Sequence, residues 1–130
     1  MDIPGNLKYT KADEWIKIDG TIATVGITDY AQSQLSDVVF VEITVTPGDM
    51  VQKNSLCATI ESVKAAAEVS LPVSGKVLET NESLPNSPEI VNNDPYGKAW
   101  MVKIELSSPT ISSDLMDAAA YQAYCQEREH

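Results

Sequence analysis

Short runs in which apolar and polar residues alternate, bounded by turn-forming residues, recur along most of this chain. The segment WIKIDGTIATVGI predicts a β-hairpin with the DG pair at 19–20 as its two-residue turn. VVFVEITV, SLCATIE, AEVSLPV and WMVKIEL predict further strands, and the last of them puts four side chains on one face: Trp100, Val102, Ile104 and Leu106. Many short strands separated by turns predict a mainly β fold, either a β-sandwich or a flattened barrel.

Two helices and several turns complete the predicted fold. Thr28 is a good N-cap for TDYAQSQLSD, which predicts a short helix. SSDLMDAAAYQAYCQERE begins with Ser and Asp and continues with good helix formers, which predicts a C-terminal helix over about 112–127. PGD at 47–49 and SG at 74–75 predict turns, and NESLPNSPEIVNNDPYG predicts a loop with one helical turn. The length fits a single domain over 1–130.

The charge balance limits which partners this protein can have. Its 130 residues include 19 acidic and 9 basic side chains, for a formal net charge of -10. Like charges repel, so nucleic acid and anionic membranes are poor partners, and basic surfaces on other proteins are better ones. No apolar run is long enough to span a membrane, and MDIPGNLKYT resembles neither a signal peptide nor a transit peptide. We expect a cytoplasmic monomer, or a mitochondrial matrix protein if a transit peptide has been removed.

Conventional catalysis is disfavoured by the residue types and their positions. The single histidine, His130, is the final residue, where a general base is poorly oriented. Cys57 and Cys125 lie far apart, which argues against a disulfide framework, and both are expected to be packing residues. Neither metal-ligand spacing nor a Gly-rich phosphate loop occurs in the sequence. The sequence therefore predicts a non-catalytic protein without a metal site.

Lys64 lies in IESVKAAAEV, midway between two alternating runs, where the chain is predicted to reverse direction. No Gly, Pro, Asn or Asp is present there to make the turn. One interpretation is a solvated lysine that keeps a strand edge soluble. The other is a protruding amine, surrounded by small side chains, that the active site of another enzyme can reach. The pattern alone leaves both interpretations open.

The segments ESVKA and PVSGKV resemble the lipoyl-attachment hairpin of the glycine cleavage system H protein family. KYTKADEW, ATVGITDYAQSQLSDVVFVE, PGDMV, IVNNDPYGKAWMVKI and LMDAAAYQAYC resemble further family motifs and stand in family order, so the resemblance covers nearly the whole chain. In the related biotin carriers the lysine usually lies between two methionines, whereas Val63 and Ala65 flank Lys64. The resemblance therefore implies a lipoyl-domain-like barrel-sandwich hybrid with its lipoyl hairpin at about 55–75.

A member of this family is a carrier component of a multienzyme system. The resemblance implies lipoate bound covalently to Lys64, so the reactive chemistry belongs to the cofactor. It also implies four kinds of partner: the pyridoxal-phosphate glycine decarboxylase (P protein), the tetrahydrofolate-dependent aminomethyltransferase (T protein), the dihydrolipoyl dehydrogenase (L protein), and a lipoate ligase or lipoyltransferase. The arm would carry the aminomethyl group of glycine from the first to the second and electrons to the third.

Two carboxylates are candidates for sheltering the aminomethyl intermediate. Glu14 stands where the family has an acidic residue near the arm, and Glu68 stands where the family often has Asp. A carboxylate in an apolar cleft would stabilise a protonated amine while excluding water, although both residues also fit an ordinary acidic surface. Asp13 and Ala12 depart from the family, which commonly has His and a hydroxyl there. Two alternatives stay open: a paralogue that relays lipoate or acts as an unmodified interaction module, and an autonomous enzyme using Cys57 or the carboxylates.

Overall fold

The structure, a computed structural model, describes residues 2–107 and 115–128 of the chain. Within those residues the chain forms nine strands and four helices. The strands are β1 (Lys8–Tyr9), β2 (Glu14–Asp19), β3 (Ile22–Ile27), β4 (Val38–Ile43), β5 (Met50–Val51), β6 (Leu56–Ser62), β7 (Ala66–Ser70), β8 (Gly75–Thr80) and β9 (Val102–Leu106). The helices are α1 (Asp29–Leu35), α2 (Ser83–Asn86), α3 (Ile90–Asn93) and α4 (Ala118–Arg128).

Two antiparallel sheets of unequal size share one apolar core. The larger sheet has the strand order β1-β2-β3-β9-β8-β5, and the smaller has the order β4-β6-β7. Both contribute buried side chains to the same cluster, among them Ile16, Val25 and Ile104 from the larger sheet and Val41, Ile60 and Val69 from the smaller. The predicted mainly β class, with a short helix and a C-terminal helix, is confirmed, and its two layers are those of a sandwich.

The predicted hairpin is β2–β3, but its turn lies one residue later than expected. Asp19 still pairs with Ile22, so the two-residue loop consists of Gly20 and Thr21. Gly20 has a φ of 64°. Two-residue hairpin loops demand positive φ at their first central position, which glycine adopts without steric cost and aspartate does not. The predicted N-cap of α1 is correct, because the Thr28 side chain accepts a hydrogen bond from the Ala31 N–H.

Three other local predictions need correction. Gly75 is not a turn residue but begins β8, and a Cβ there would overlap the Glu105 carbonyl oxygen of the neighbouring strand. Trp100 precedes β9 and packs against a second apolar cluster rather than sharing a face with Val102. The polar loop after β8 contains two short helices, α2 and α3, instead of one helical turn.

The C-terminal helix begins at Ala118, later than the predicted residue 112. Residues 112–114 lie outside the described part of the chain, and Met116 is extended, exchanging backbone hydrogen bonds with Tyr9 of β1. The helix packs through Tyr121, whose ring stacks on Tyr9 with centroids 4.7 Å apart. Both rings belong to the second cluster, together with the buried Cys125. The C-terminal helix α4 therefore packs against β1, the strand that precedes the candidate site in the chain.

Candidate functional site

Lys64 occupies the tip of the β6–β7 hairpin, in the loop formed by residues 63–65. Its side chain is exposed. The turn-forming residue that sequence reasoning missed is Ser62: its hydroxyl accepts hydrogen bonds from the N–H groups of Lys64, at 3.4 Å, and Ala65, at 3.0 Å. A serine hydroxyl can organise a turn in this way without Gly or Pro. The signal was present in the sequence as a serine two residues before the lysine.

Backbone pairing holds the base of this tip on both sides. The Ser62 N–H donates to the Ala65 carbonyl at 2.8 Å, which closes the loop, and the Val63 N–H donates to the Asp37 carbonyl at 3.0 Å. Below the loop, Glu61 pairs with Ala66 in the ladder. Within residues 2–107 and 115–128, no carboxylate forms an ion pair with the Lys64 ammonium. The amine is thus presented to solvent from a rigid base.

A cleft of about 180 Å³ lies beside the stem of the same hairpin. Ile60 of β6 and Ala67 of β7 line it, together with Ile27 of β3 and Leu35 of α1. Because a strand rises about 3.3 Å per residue, this part of the stem lies about 13 Å from Lys64 along β6. The apolar walls of the cleft therefore lie about 13 Å from the backbone of the tip.

Glu14 is the buried carboxylate of this cleft, with 4% of its surface exposed. One carboxylate oxygen accepts a hydrogen bond from the Thr10 hydroxyl at 3.1 Å, and the other accepts from the Ser70 N–H at 3.0 Å. Burial raises the pKa of Glu14 to about 7, although these two hydrogen bonds lower the pKa and the charge of Asp13 raises it. At neutral pH this group is therefore poised between its neutral and charged forms.

Glu68 lines the same cleft but has a different environment. It is exposed, and on β7 it alternates with the inward-facing Ala67 and Val69. Thr59 lies opposite it on β6, and Glu42 lies opposite Thr59 on β4, so Glu68 belongs to an outward-facing row. The structure thus brings both predicted carboxylates to one cleft, but only Glu14 is buried there.

The C-terminal helix reaches this cleft through Asp13, the residue before Glu14. Asp13 has a φ of 67°, a left-handed conformation that is unusual for a residue with a side chain. Its carboxylate accepts two hydrogen bonds from the Arg128 guanidinium, at 3.0 and 2.5 Å, and one from the Tyr121 hydroxyl at 2.8 Å. The contacts span 108 and 115 residues, so no local sequence signal could reveal them.

Cys57 is poorly suited to act as a nucleophile. Cys57 is fully buried, and burial raises the pKa of its thiol to about 12, which keeps the nucleophilic thiolate scarce. A register shift in β6 between Leu56 and Ala58 turns Cys57 into the core beside Ala58, contrary to the predicted strict alternation.

In the described ranges, no three His, Cys, Asp or Glu side chains are grouped to hold a metal ion. None of the helices described is long and apolar enough to cross a membrane.

Comparison with known proteins identifies the family. The sequence model described as "Glycine cleavage H-protein" matches residues 7–128. The glycine cleavage system H protein of Bacteroides thetaiotaomicron is 49% identical over 123 residues, which cover 95% of this chain and 97% of the relative. That of Halothermothrix orenii is 49% identical over 129 residues, covering 99% and 100%.

The fold agrees with a solved member of the same family. The crystal structure of a glycine cleavage system H protein from Mycobacterium marinum is 30% identical to this chain and superposes with a TM-score of 0.83. The match covers 98% of this chain and 100% of that one. The family model and these relatives match nearly the whole chain, so this chain belongs to the glycine cleavage system H protein family.

Proposed function

We propose that this chain is the lipoyl carrier of a glycine cleavage system, with lipoate attached to Lys64 through an amide bond. It would move the aminomethyl group of glycine from the P protein to the T protein and pass electrons to the L protein. The observation that carries the proposal is the exposed Lys64 amine on a tip whose base is fixed by backbone hydrogen bonds. Membership of the H protein family supports it.

The surroundings of Lys64 fit the attachment of an acyl group. Val63 and Ala65 are exposed beside it, and neither carries a charge that would hold the ammonium in place. The Ser62 hydroxyl fixes the backbone of the loop, so the Lys64 side chain projects into solvent from a defined backbone position. Lipoate supplies, when bound, a dithiolane that can be reduced, can carry a one-carbon amine and can be reoxidised. The chain supplies position, while the partners supply catalysis.

Glu14 is proposed to receive the protonated amine of the carried group. The walls of Ile27, Leu35 and Ile60 are apolar and would limit the access of water to an amine held between them. The ionised form of Glu14 would offset the charge of a cation brought beside it. A pKa of about 7 means that an approaching ammonium group would shift Glu14 towards its charged form. Glu68 is proposed as a second acceptor for the same amine from the exposed side of the cleft.

The proposal is tested by the intact mass of the purified chain after incubation with a bacterial lipoate ligase, ATP and lipoate. We expect one lipoyl addition on the wild type and none on Lys64→Ala. Lys76→Ala is the matched control, because Lys76 is also exposed but lies in the other sheet. An unmodified wild type would favour the interaction module, and loading at another lysine would also contradict the proposal. A lipoylated chain that the P protein cannot charge with glycine-derived aminomethyl would indicate the lipoate relay.

A further inference from the structure

The outward face of the larger sheet carries two neighbouring rows of side chains. One row runs across β2, β3, β9 and β8 and consists of Lys17, Thr24, Lys103 and Glu79. The next row along the same strands consists of Asp19, Ile22, Glu105 and Lys76. Residues between the rows, among them Ala23 and Ile104, point into the core. The rows therefore share one face and lie about 7 Å apart, which is two residues along a strand.

The charges of this face balance, unlike those of the whole chain. Three lysines stand beside three carboxylates in the two rows, whereas the chain has 19 acidic and 9 basic side chains in all. The formal net charge of -10 makes two copies repel each other in most orientations, which is why the sequence predicts a monomer. A face without net charge is the part of the surface where that repulsion is weakest.

Pairing within the sheet explains only part of the charge pattern. Lys103 lies opposite Glu79 and forms an ion pair with it at 3.6 Å, and the other charged pair between β8 and β9 also has opposite signs. Such cross-strand pairs stabilise a sheet. Lys17 and Asp19, however, lie opposite uncharged residues of β3. Neither forms an ion pair within the part of the chain that the structure describes. Their charges are therefore free to meet a second molecule.

A two-fold rotation makes this face complementary to itself. A second copy can be turned about an axis that lies in the contact plane and runs across the strands, midway between the two rows. Each row then lies over the other row of the second copy, as a two-fold contact between identical patches requires. The charges that face each other are Lys17 and Asp19, Lys103 and Glu105, and Glu79 and Lys76. Every charge of the face meets an opposite charge in the other copy.

The other in-plane axis does not give this match. An axis along the strands, between β3 and β9, would place Lys103 over Thr24 and Glu105 over Ile22, which leaves both charges without a partner. Packed sheets are also rotated by about 30° by their twist. Over the four strands that rotation moves the outermost charges by about 4 Å, a distance that the long side chain of Lys17 can cover.

A hollow on the same face gives the second copy room for an apolar side chain. Its volume is about 320 Å³, and Thr24, Leu78 and Ile22 are among the residues that line it. Ile22 is 39% exposed. With the axis across the strands, Ile22 of each copy lies over Thr24 of the other and therefore enters this hollow. The contact thus has an apolar centre between its charged pairs, as protein interfaces usually have.

We propose that this chain forms a weak dimer through the outward face of the larger sheet, with the two-fold axis running across the strands between the two rows. The inference goes beyond the proposed function, because it does not depend on modification of Lys64. The β6–β7 hairpin belongs to the other layer of the sandwich. Both copies therefore keep their Lys64 tips on the outer sides of the dimer, pointing away from each other.

The size of the contact makes the dimer weak. Four strands about 4.8 Å apart and two rows about 7 Å apart cover a few hundred Å², less than the roughly 800 Å² per partner of a stable complex. Exposed ion pairs also contribute little each. We expect a Kd on the order of 1 mM, so the chain is a monomer at micromolar concentrations, as its net charge predicts.

The test reverses the two charges that pairing within the sheet does not explain. Sedimentation equilibrium of the full chain, at about 0.1 to 2 mM protein and about 0.1 M salt, gives the Kd of the wild type. Lys17→Glu alone and Asp19→Lys alone should each weaken the dimer at least about tenfold, because symmetry brings like charges together twice. An equimolar mixture of the two variants should regain the wild-type Kd, since both contacts then join opposite charges. Recovery in the mixture also shows that both variants are folded.

Two variants on the smaller sheet control for net charge. Lys64→Glu and Glu61→Lys change the net charge as the two test variants do, but they lie on the β6–β7 hairpin. Both should dimerise with a Kd within about twofold of the wild type, because the overall charge is largely screened at this salt concentration.

The outcomes separate this inference from the proposed function. A wild type that stays at the mass of one chain at 2 mM, on the order of the Kd above, would overturn the dimer. So would single variants that associate as the wild type does. A mixture that does not recover would overturn the proposed axis, because only this axis brings Lys17 against Asp19. Lipoylation of Lys64, read by intact mass, is independent of all three results, so either proposal can fail while the other stands.

Discussion

The two ends of one hairpin are built in opposite ways. At the tip, the side-chain hydrogen bonds that shape the loop within the described residues join the Ser62 hydroxyl to the backbone of Lys64 and Ala65. At the stem, the cleft around Glu14 needs Thr10, Ser70 and α1, and its flank needs the C-terminal helix. The tip is local and exposed, whereas the cleft is assembled from distant parts of the chain and holds a buried carboxylate. A change at one end should therefore leave the other end nearly intact.

The largest expected effect is on the cleft, from Glu14→Gln. The pKa of Glu14 is about 7 in the folded protein against a usual value of 4.5, so the folded state binds this proton more tightly. The free energy of unfolding of the wild type should therefore fall as the pH rises from about 4.5 to about 7, by about 3 kcal/mol, and stay level above that. The Gln variant, which cannot ionise, should lack this slope. Urea unfolding at several pH values measures it.

Glu68→Gln is the control for this prediction. Glu68 lines the same cleft but is exposed, so no burial cost is relieved when its charge is removed. Its pH profile of stability should follow that of the wild type. Equal slopes in the wild type and Glu14→Gln would contradict the claim that the two carboxylates differ in burial. Lipoylation of Lys64 should proceed at the wild-type rate in both variants.

The same contrast explains how much could be read from the sequence. The longer strands, the Thr28 cap and the place of Lys64 between two strands follow from alternation and helix capping, which are local, whereas the turn made by Ser62 was missed. The first turn consists of Gly20 and Thr21 instead of the predicted Asp19 and Gly20, because Asp19 still pairs with Ile22 in the strand register. The tie between Asp13 and Arg128 was beyond such reasoning, because it depends on how α4 packs. The bulge in β4, where Val39 has no paired residue on β6, could not be predicted either, because VVFVEI shows no break in its apolar pattern.

A medium effect is expected when the C-terminal helix loses its contact with the cleft, in Arg128→Met. The variant loses the two-bond contact with Asp13 and the stacking of the guanidinium on Tyr30 and Tyr124. Because the pair is partly solvated, we expect the free energy of unfolding to fall by about 1–2 kcal/mol. The uncompensated charge of Asp13 should also raise the pKa of Glu14 further. Carboxyl carbon NMR of Glu14 measures the pKa directly.

Arg128→Lys distinguishes charge from geometry in this contact. A lysine keeps the positive charge but cannot form the two parallel hydrogen bonds, so the pKa of Glu14 should move less than in the Met variant. Lipoylation of Lys64 should be unchanged in both. A slower lipoylation in either variant would mean that the helix acts on the tip as well, and the separation of the two ends would be wrong.

The smallest effect on stability is expected at the tip, from Ser62→Ala. The variant loses the hydroxyl that accepts from the Lys64 and Ala65 N–H groups, but both groups can turn to water, so stability should fall by less than about 1 kcal/mol. The loop is then less ordered, and we expect kcat/KM for lipoylation to fall about two- to fivefold, because the amine is presented in more directions. Ser62→Thr retains a hydroxyl and should keep most of the rate. The pKa of Glu14 should be the same in all three proteins, since no Ser62 contact reaches the cleft within the described residues. A shift of that pKa in Ser62→Ala would show that the tip and the stem are coupled through β6, and that the hairpin responds as one unit.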